Sequence, residues 1–277
     1  METKSIELGQ GFLVINFHEV QFVVVFGSII LLFLIEGYIP RRTTEKNQTT
    51  RWFSNIFLAL FNHFFVIFYS LALIVVLRNF QPESPLLQHF KVSDTPAFLI
   101  ILLLMDFINY WLHRGYHRVP VLWRIHSVHH TDTEIDVTTS HRHHPFEVMI
   151  TVLILTLILM LLGAPVIVIV IYSLLHSLAD SFSHSNIVLP KKVDNILRLF
   201  IITPDFHRMH HSSDKQYTDS NYSTLLSFYD YLFGTATRLP YDKIPRMELG
   251  LETQREAKDS RIDYLFLAPF TYKKNKT

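Results

Sequence analysis

The 277-residue sequence predicts an all-α integral membrane protein. The expected bundle has three spans plus a helical hairpin, and a cytoplasmic helical cap holds a histidine-rich two-metal site. Three observations carry this reading. Charged residues make up 18% of the chain, against about 25% in an average soluble domain. Four long runs are almost free of charge. Thirteen of the sixteen histidines fall between His113 and His211. The formal net charge of +1 leaves no global field to recruit nucleic acid, so no such partner is expected. With no cysteine, disulfides, thiolate metal sites, iron–sulfur clusters and a Cys nucleophile are excluded.

The first run, residues 20–35, carries no charge and continues through Glu36 to Pro40. It lacks a basic start and a small-residue cleavage site, so it reads as a span and not as a signal peptide. The second, 52–77, is uncharged. The third, 95–112, holds one charge, Asp106. The fourth, 148–179, has none across 32 positions. A span needs about 20 apolar residues, and a soluble protein of this size has no core for four such helices. Thirty-two helical residues would be roughly 48 Å long, against a hydrocarbon core of about 30 Å. Gly163-Ala164-Pro165 punctuates the middle of this run, which predicts helices over about 146–162 and 165–183. One long kinked span is the alternative.

Lys and Arg near the spans set orientation. The linker after span one carries Arg41, Arg42, Lys46 and Arg51. The linker after span two carries only Arg78 and Lys91, and the N-terminus only Lys4. Residues 41–51 are therefore expected in the cytoplasm, and the chain returns there near His113. With a hairpin, 22 of the 25 Lys and Arg lie inside, which favours the hairpin. From about 185 the chain reads as a soluble cap ending in the basic tail Lys273-Lys274-Asn275-Lys276.

The histidines form four groups. His113 and His117 are i, i+4 on the face of span three that also carries Asn109 and Asp106. Asp106 is expected to orient a ligand imidazole, because an ionisable residue within a span is functional by default. His126, His129 and His130 repeat the i, i+3, i+4 spacing of His207, His210 and His211. Thr203 as N-cap and Pro204 as first residue place the latter triplet in the first two turns of a helix. In the fourth group, His144 caps the fourth run, Pro145 opens it, Glu147 sits at the capping-box position, and His184 closes the returning helix. Only the hairpin puts all ten on one side. Ten imidazoles exceed what one ion can use, so two neighbouring ions are expected. Imidazole without thiolate suits zinc, copper, iron or nickel. Glu147, Asp180, Asp205 and Asp230 are candidates to hold second imidazole nitrogens. His141, His143 and His176 are left open as ligands, and His18, His63 and His89 read as satisfied polar residues.

The ordered set HRGYH, HSVHH, HRHHPFE, HSN and DFHRMHHS, behind hydrophobic spans, resembles the fatty acid hydroxylase/sterol desaturase superfamily. The resemblance covers about 100–235, and Asn221-Tyr222 and Phe233-Gly234-Thr235 resemble the segment after its last box. It implies a membrane di-iron centre that activates O2 and takes hydrogen from an unactivated C–H bond of a lipid. Two irons are the implied cofactor, with zinc able to replace them during purification. Electrons would come from NAD(P)H through a separate cytochrome b5 or ferredoxin. The membrane would be the inner membrane of a bacterium or the endoplasmic reticulum of a eukaryote. Carried over residue by residue, the implied ligands are His113, His117, His126, His129, His130, His144, His184, His207, His210 and His211. Some fatty-acyl hydroxylases have a further His where this chain has Asp180, so either Asp180 or His144 fills that role, and His144 is favoured. That departure lies closer to the sterol desaturase side. The implied division is an anchor of two spans over 1–95, a catalytic domain over 96–235 and a tail over 236–277. A membrane metal transporter and a zinc-dependent membrane hydrolase are the competing classes. Transporters hold ions near the midplane on broken helices, and a hydrolase needs few ligands.

Overall fold

Helix-forming apolar runs and their punctuation account for most of the architecture. The computed structural model describes residues 19, 22–43 and 48–271. Lys4, His18, Lys46 and the basic tail therefore lie outside the described residues. The early helices are α1 (Phe22–Tyr38), α2 (Gln48–Leu77), α3 (Leu86–His89), α4 (Asp94–Arg118) and α5 (Pro120–His130). The hairpin follows as α6 (Pro145–Leu162) and α7 (Val166–His184). The rest of the chain adds α8 (Lys191–Leu197), α9 (Pro204–His210), α10 (Lys215–Thr218), α11 (Phe228–Leu232) and α12 (Ile262–Thr271). Among the described residues there is no strand, only isolated bridges such as Pro40 with Ile187.

Four helices, α2, α4, α6 and α7, are long and apolar enough to cross a membrane, and α1 is a shorter apolar helix. The chain is a multi-pass membrane protein. Phe53, Phe57, Phe64 and Phe68 stand exposed along α2, as side chains do where lipid is the solvent. Ile101 and Met105 of α4 pack with Leu162 of α6 and with Val168 and Tyr172 of α7.

The long apolar run breaks where the sequence predicts. Gly163 caps α6 in the left-handed conformation, φ +66°, and Pro165 opens α7. Both far ends of the hairpin reach the histidines, since Glu147 near the start of α6 bonds His126 and His184 at the end of α7 meets His129. A Cβ on Gly163 would clash with the Cβ of Pro85. Gly163→Ala is therefore expected to destabilise by more than about 1 kcal/mol, from positive φ and the clash together. A lowered thermal midpoint in detergent is the measurement.

The basic linker after α1 lies at the same end as the histidines. The Arg41 guanidinium donates to both oxygens of Asp205, at 3.0 and 3.1 Å, and Arg42 donates to the Met247 carbonyl at 2.8 Å. Glu36 accepts from the backbone N–H of Val137 (2.8 Å) and of Asn186 (2.5 Å), tying α1 to both flanks of the site. At the start of α2, buried Arg51 pairs with Asp132 and Asp136. Arg142, fully buried, donates to Asn55, Thr131 and the Val128 carbonyl.

Candidate metal centre

Nine of the ten expected ligands converge, in two groups. His113, His117, His126, His130 and His210 form the first, and His129, His184, His207 and His211 the second. The repeated triplets are divided between them. On α5 the i and i+4 residues, His126 and His130, face the first group while His129 faces the second. On α9 the pattern inverts: His207 and His211 join the second group and His210 the first. Each triplet thus straddles the centre, and the groups touch, with 4.6 Å between the ring centroids of His130 and His211.

Within each group the Nε2 atoms face one another. His126 lies 3.1 Å from His113 and 3.2 Å from His130. In the second group the separations are 3.1 Å (His129–His184), 3.0 Å (His184–His207), 3.3 Å (His184–His211) and 3.2 Å (His207–His211). The Nε2 atoms of His117 and His210 are buried without a hydrogen-bond partner.

The acceptors facing five of the other ring nitrogens suit the site to a cation, whereas the Nδ1 atoms of His129, His130, His207 and His211 are buried without a partner. His113 Nδ1 faces the Tyr222 carbonyl at 2.6 Å, His210 Nδ1 the Ser220 carbonyl at 2.7 Å, and His184 Nδ1 the Asp180 carbonyl at 2.8 Å. His126 Nδ1 meets Glu147 Oε1 at 2.8 Å, and His117 Nδ1 stands 3.4 Å from Asp219 Oδ1. Each of these partners accepts, so Nδ1 carries the hydrogen and Nε2 presents a lone pair. Converging lone pairs repel unless a cation lies between them. A metal–nitrogen bond of about 2.1 Å sets neighbouring donors about 3.0 Å apart at right angles and about 3.4 Å apart in a tetrahedron, which brackets the observed spacings. Burial, and then the neighbouring imidazoles, hold His129, His130, His207, His210 and His211 well below the ordinary imidazole pKa, so they are neutral and available as ligands. The donor set fits two ions of the kind imidazole favours.

The comparisons agree with that fit. The fatty acid hydroxylase family matches residues 98–235. The chain is also 27% identical over 133 residues to alkylglycerol monooxygenase of Homo sapiens, covering 47% of this chain and 28% of that protein. It is 28% identical over 158 residues to ornithine lipid hydroxylase OlsE of Rhizobium tropici, 56% of this chain and 47% of that one. Against very-long-chain aldehyde decarbonylase GL1-8 of Oryza sativa subsp. indica the identity is 31% over 161 residues, 58% and 57%.

This chain belongs to the fatty acid hydroxylase/sterol desaturase superfamily.

The match spans less than two thirds of each of these relatives. No solved structure matches the chain.

Three expected roles fall elsewhere in this superfamily member. His144 lies outside both imidazole groups. Its Nδ1 accepts from the Phe146 N–H as the N-cap of α6, and its Nε2 is 3.4 Å from the Phe266 carbonyl, so both nitrogens are spent on packing. Asp106 reaches no imidazole; it accepts from the backbone N–H of Leu225 (3.3 Å) and Leu226 (3.0 Å), anchoring the loop before α11. Asp205 is held by Arg41 and fixes the start of α9. Glu147, one of the candidates to hold imidazole nitrogens, accepts from His126 and from His143 Nδ1 at 3.0 Å. Asp180 holds His184 chiefly through its carbonyl, its carboxylate standing 3.4 Å away. Asp230 acts one step further out, accepting from the N–H of Tyr222 and of Ser223.

The segment Asp219–Tyr222 is the part that sequence reasoning missed. It supplies the acceptors for His117, His210 and His113. Two of the three are main-chain carbonyls, which no residue type announces. The signal was Asn221, whose left-handed backbone (φ +53°) is a conformation asparagine tolerates. Its side chain donates to the Phe206 carbonyl at 2.8 Å and accepts from the Thr237 N–H at 2.8 Å.

A cavity of about 390 Å³ opens against the imidazoles between α2, α4, α6 and α7. Val66, Leu112, Val148, Val152 and Leu155 form its apolar wall, and His113, His126, His129, His184 and His207 border its metal side. His141, His143 and His176 line it too. His143 stacks on His129 at 4.4 Å; burial opposes its charge, but the Glu147 carboxylate raises its pKa to about 9. Glu147→Gln is expected to keep the fold and lower metal affinity or turnover by about 10–100-fold, since a neutral amide oxygen accepts more weakly than the charged Oε1 that meets both His126 and His143. Titration of metal against the variant, compared with the parent, measures this.

Proposed function

We propose that this protein is a membrane-bound, O2-dependent di-iron oxidoreductase that hydroxylates or desaturates a C–H bond of a lipid. Two buried imidazole groups side by side, at the border of a membrane-embedded cavity, are the observation that carries the reading. Hydroxylation balances as R–H, O2, two electrons and two protons going to R–OH and water. Desaturation uses the same inputs, removes two hydrogens and releases two waters. The electrons come from NAD(P)H through a separate carrier of cytochrome b5 or ferredoxin type, which meets the centre from the cytoplasmic face. Alkylglycerol monooxygenase and ornithine lipid hydroxylase among the relatives favour hydroxylation.

When bound, the two irons supply the O2 reduction and hydrogen removal that side-chain acids and bases cannot perform. The protein's own part is positioning. The carbonyls of Ser220, Tyr222 and Asp180 and the carboxylate of Glu147 hold Nδ1 hydrogens, so Nε2 lone pairs aim inward. The apolar wall from Val66 to Leu155 aligns an alkyl chain and excludes bulk water. Asn109 of α4 donates to the Tyr172 hydroxyl of α7 at 2.7 Å, which fixes the spacing of the two helices that flank the cavity.

Lipid mass spectrometry of a host with and without the gene tests the reading. A species shifted by +16 or −2 mass units, dependent on O2, is expected. Metal flux in proteoliposomes without lipid turnover would identify a transporter instead. Turnover without O2 by a protein holding a single zinc would identify a hydrolase.

A further inference from the structure

The cavity has a second wall that lies mostly outside the two imidazole groups. On α7 the residues Ser173, His176, Ser177, Asp180 and His184 follow the spacing i, i+3, i+4, i+7, i+11, a single polar stripe on an apolar membrane helix, and all five line the cavity. Only His184 belongs to an imidazole group. His141, from the 3-10 turn Val137–His141, faces the same space, and its Nε2 is buried without a hydrogen-bond partner. Polar groups at membrane depth are costly and persist where they serve a ligand or pathway, and a buried polar atom lacking a partner calls for one.

Resting on the lipid reading above, we propose that His141, His176 and Asp180 form a polar subsite that receives an uncharged hydroxyl of the substrate. The substrate class is then a lipid with a neutral hydroxyl a few bonds from the C–H that reacts, in place of a bare hydrocarbon chain or a carboxylate. Three observations set this chemistry. The wall offers both kinds of partner: an imidazole nitrogen, and the Asp180 carboxylate that accepts from an O–H. Among the described residues no Lys or Arg lines the cavity, and the one imidazole whose charge is favoured there, His143, is already paired with the Glu147 carboxylate, so no unpaired side-chain cation offsets a carboxylate or phosphate there. The volume of about 390 Å³ holds roughly a dozen water-sized groups, which admits one end of a lipid and leaves the remaining chain in the bilayer.

The test uses the full-length, iron-loaded protein in nanodiscs and three radiolabelled probes with one chain length: dodecane, 1-dodecanol and dodecanoate. Partition into empty nanodiscs is subtracted. A neutral hydrogen bond is worth about threefold to tenfold in affinity, so dodecanol is expected to bind at least threefold tighter than dodecane and tighter than dodecanoate. His141→Leu and His176→Leu should each erase most of that preference while iron stays at the wild-type level, and His141→Gln should keep part of it. Equal binding of dodecane and dodecanol, tightest binding of dodecanoate, or an unchanged preference in both leucine variants would overturn the subsite. The function is scored separately: an intact alcohol preference without any O2-dependent lipid product defeats the oxygenase reading and leaves the subsite standing.

Discussion

Replacing His210 by alanine is expected to abolish turnover and to empty part of the metal centre. His210 is fully buried, its Nδ1 is held by the Ser220 carbonyl, and its Nε2 points into the first imidazole group with no other partner. Loss of an outer holder costs about 10–100-fold in metal affinity or activity, and loss of the donor itself should cost more. Bound iron should fall below the wild-type level by elemental analysis, with turnover down by more than 100-fold on that scale. His129→Ala should behave alike on the second group. His144→Ala is the informative contrast. It removes an N-cap, worth about 1 kcal/mol, and should leave iron content unchanged. Full activity in His210→Ala, or lost iron in His144→Ala, would redraw the ligand set.

Arg51→Leu is expected to cost about 3–5 kcal/mol of stability, the penalty for leaving buried carboxylates without their cation. Arg51 pairs with Asp132 at 3.0 Å and with Asp136, and all three are buried. Asp132 also accepts from Asn55 at 3.1 Å and Thr139 at 2.7 Å, and Trp52 donates to Asp136 at 2.8 Å. The network clamps α2 onto the segment that follows His130, so its loss should loosen the imidazoles of α5 as well as the fold. Burial opposes the Asp132 charge, yet Arg51 and Arg142 hold its pKa below the usual carboxylate range. The stability this contributes is present above the unfolded carboxylate pKa and is lost as pH falls through the folded one. Arg51→Lys should rescue little, because one ammonium cannot span two carboxylates as the guanidinium fork does. Thermal melts of both variants in detergent measure the effect; a midpoint unchanged from the wild type in Arg51→Leu would show that the cluster adds nothing net.

Linear features of the chain carried much of the architecture. The hairpin was legible because Gly163 and Pro165 interrupt a run too long for the bilayer, and a left-handed glycine followed by a proline is what such a reversal requires. The α9 start was legible because Thr203 and Pro204 have positional chemistry, and Thr203 does accept from the Phe206 N–H. The histidine boxes were legible because i, i+3, i+4 spacing puts side chains on one helical stripe. His144 misled because an imidazole that caps a helix and one that binds a metal look alike in sequence. Asp106 misled in the same way: a carboxylate on the histidine face of α4 could serve an imidazole or the amides of a loop, and only the position of Leu225 and Leu226 decides.

By itself, then, the sequence determined the helical class, the hairpin and the stock of imidazoles, because these follow from composition and from the 3.6-residue period of a helix. The tertiary structure decided the rest. It split each triplet between two groups, recruited main-chain carbonyls of Asp180, Ser220 and Tyr222, and gave Glu147 to His126 and Asp205 to Arg41. Those choices depend on how α4, α5, α7 and α9 meet. Local spacing fixes which face of a helix a side chain occupies, and it leaves open what the facing element presents.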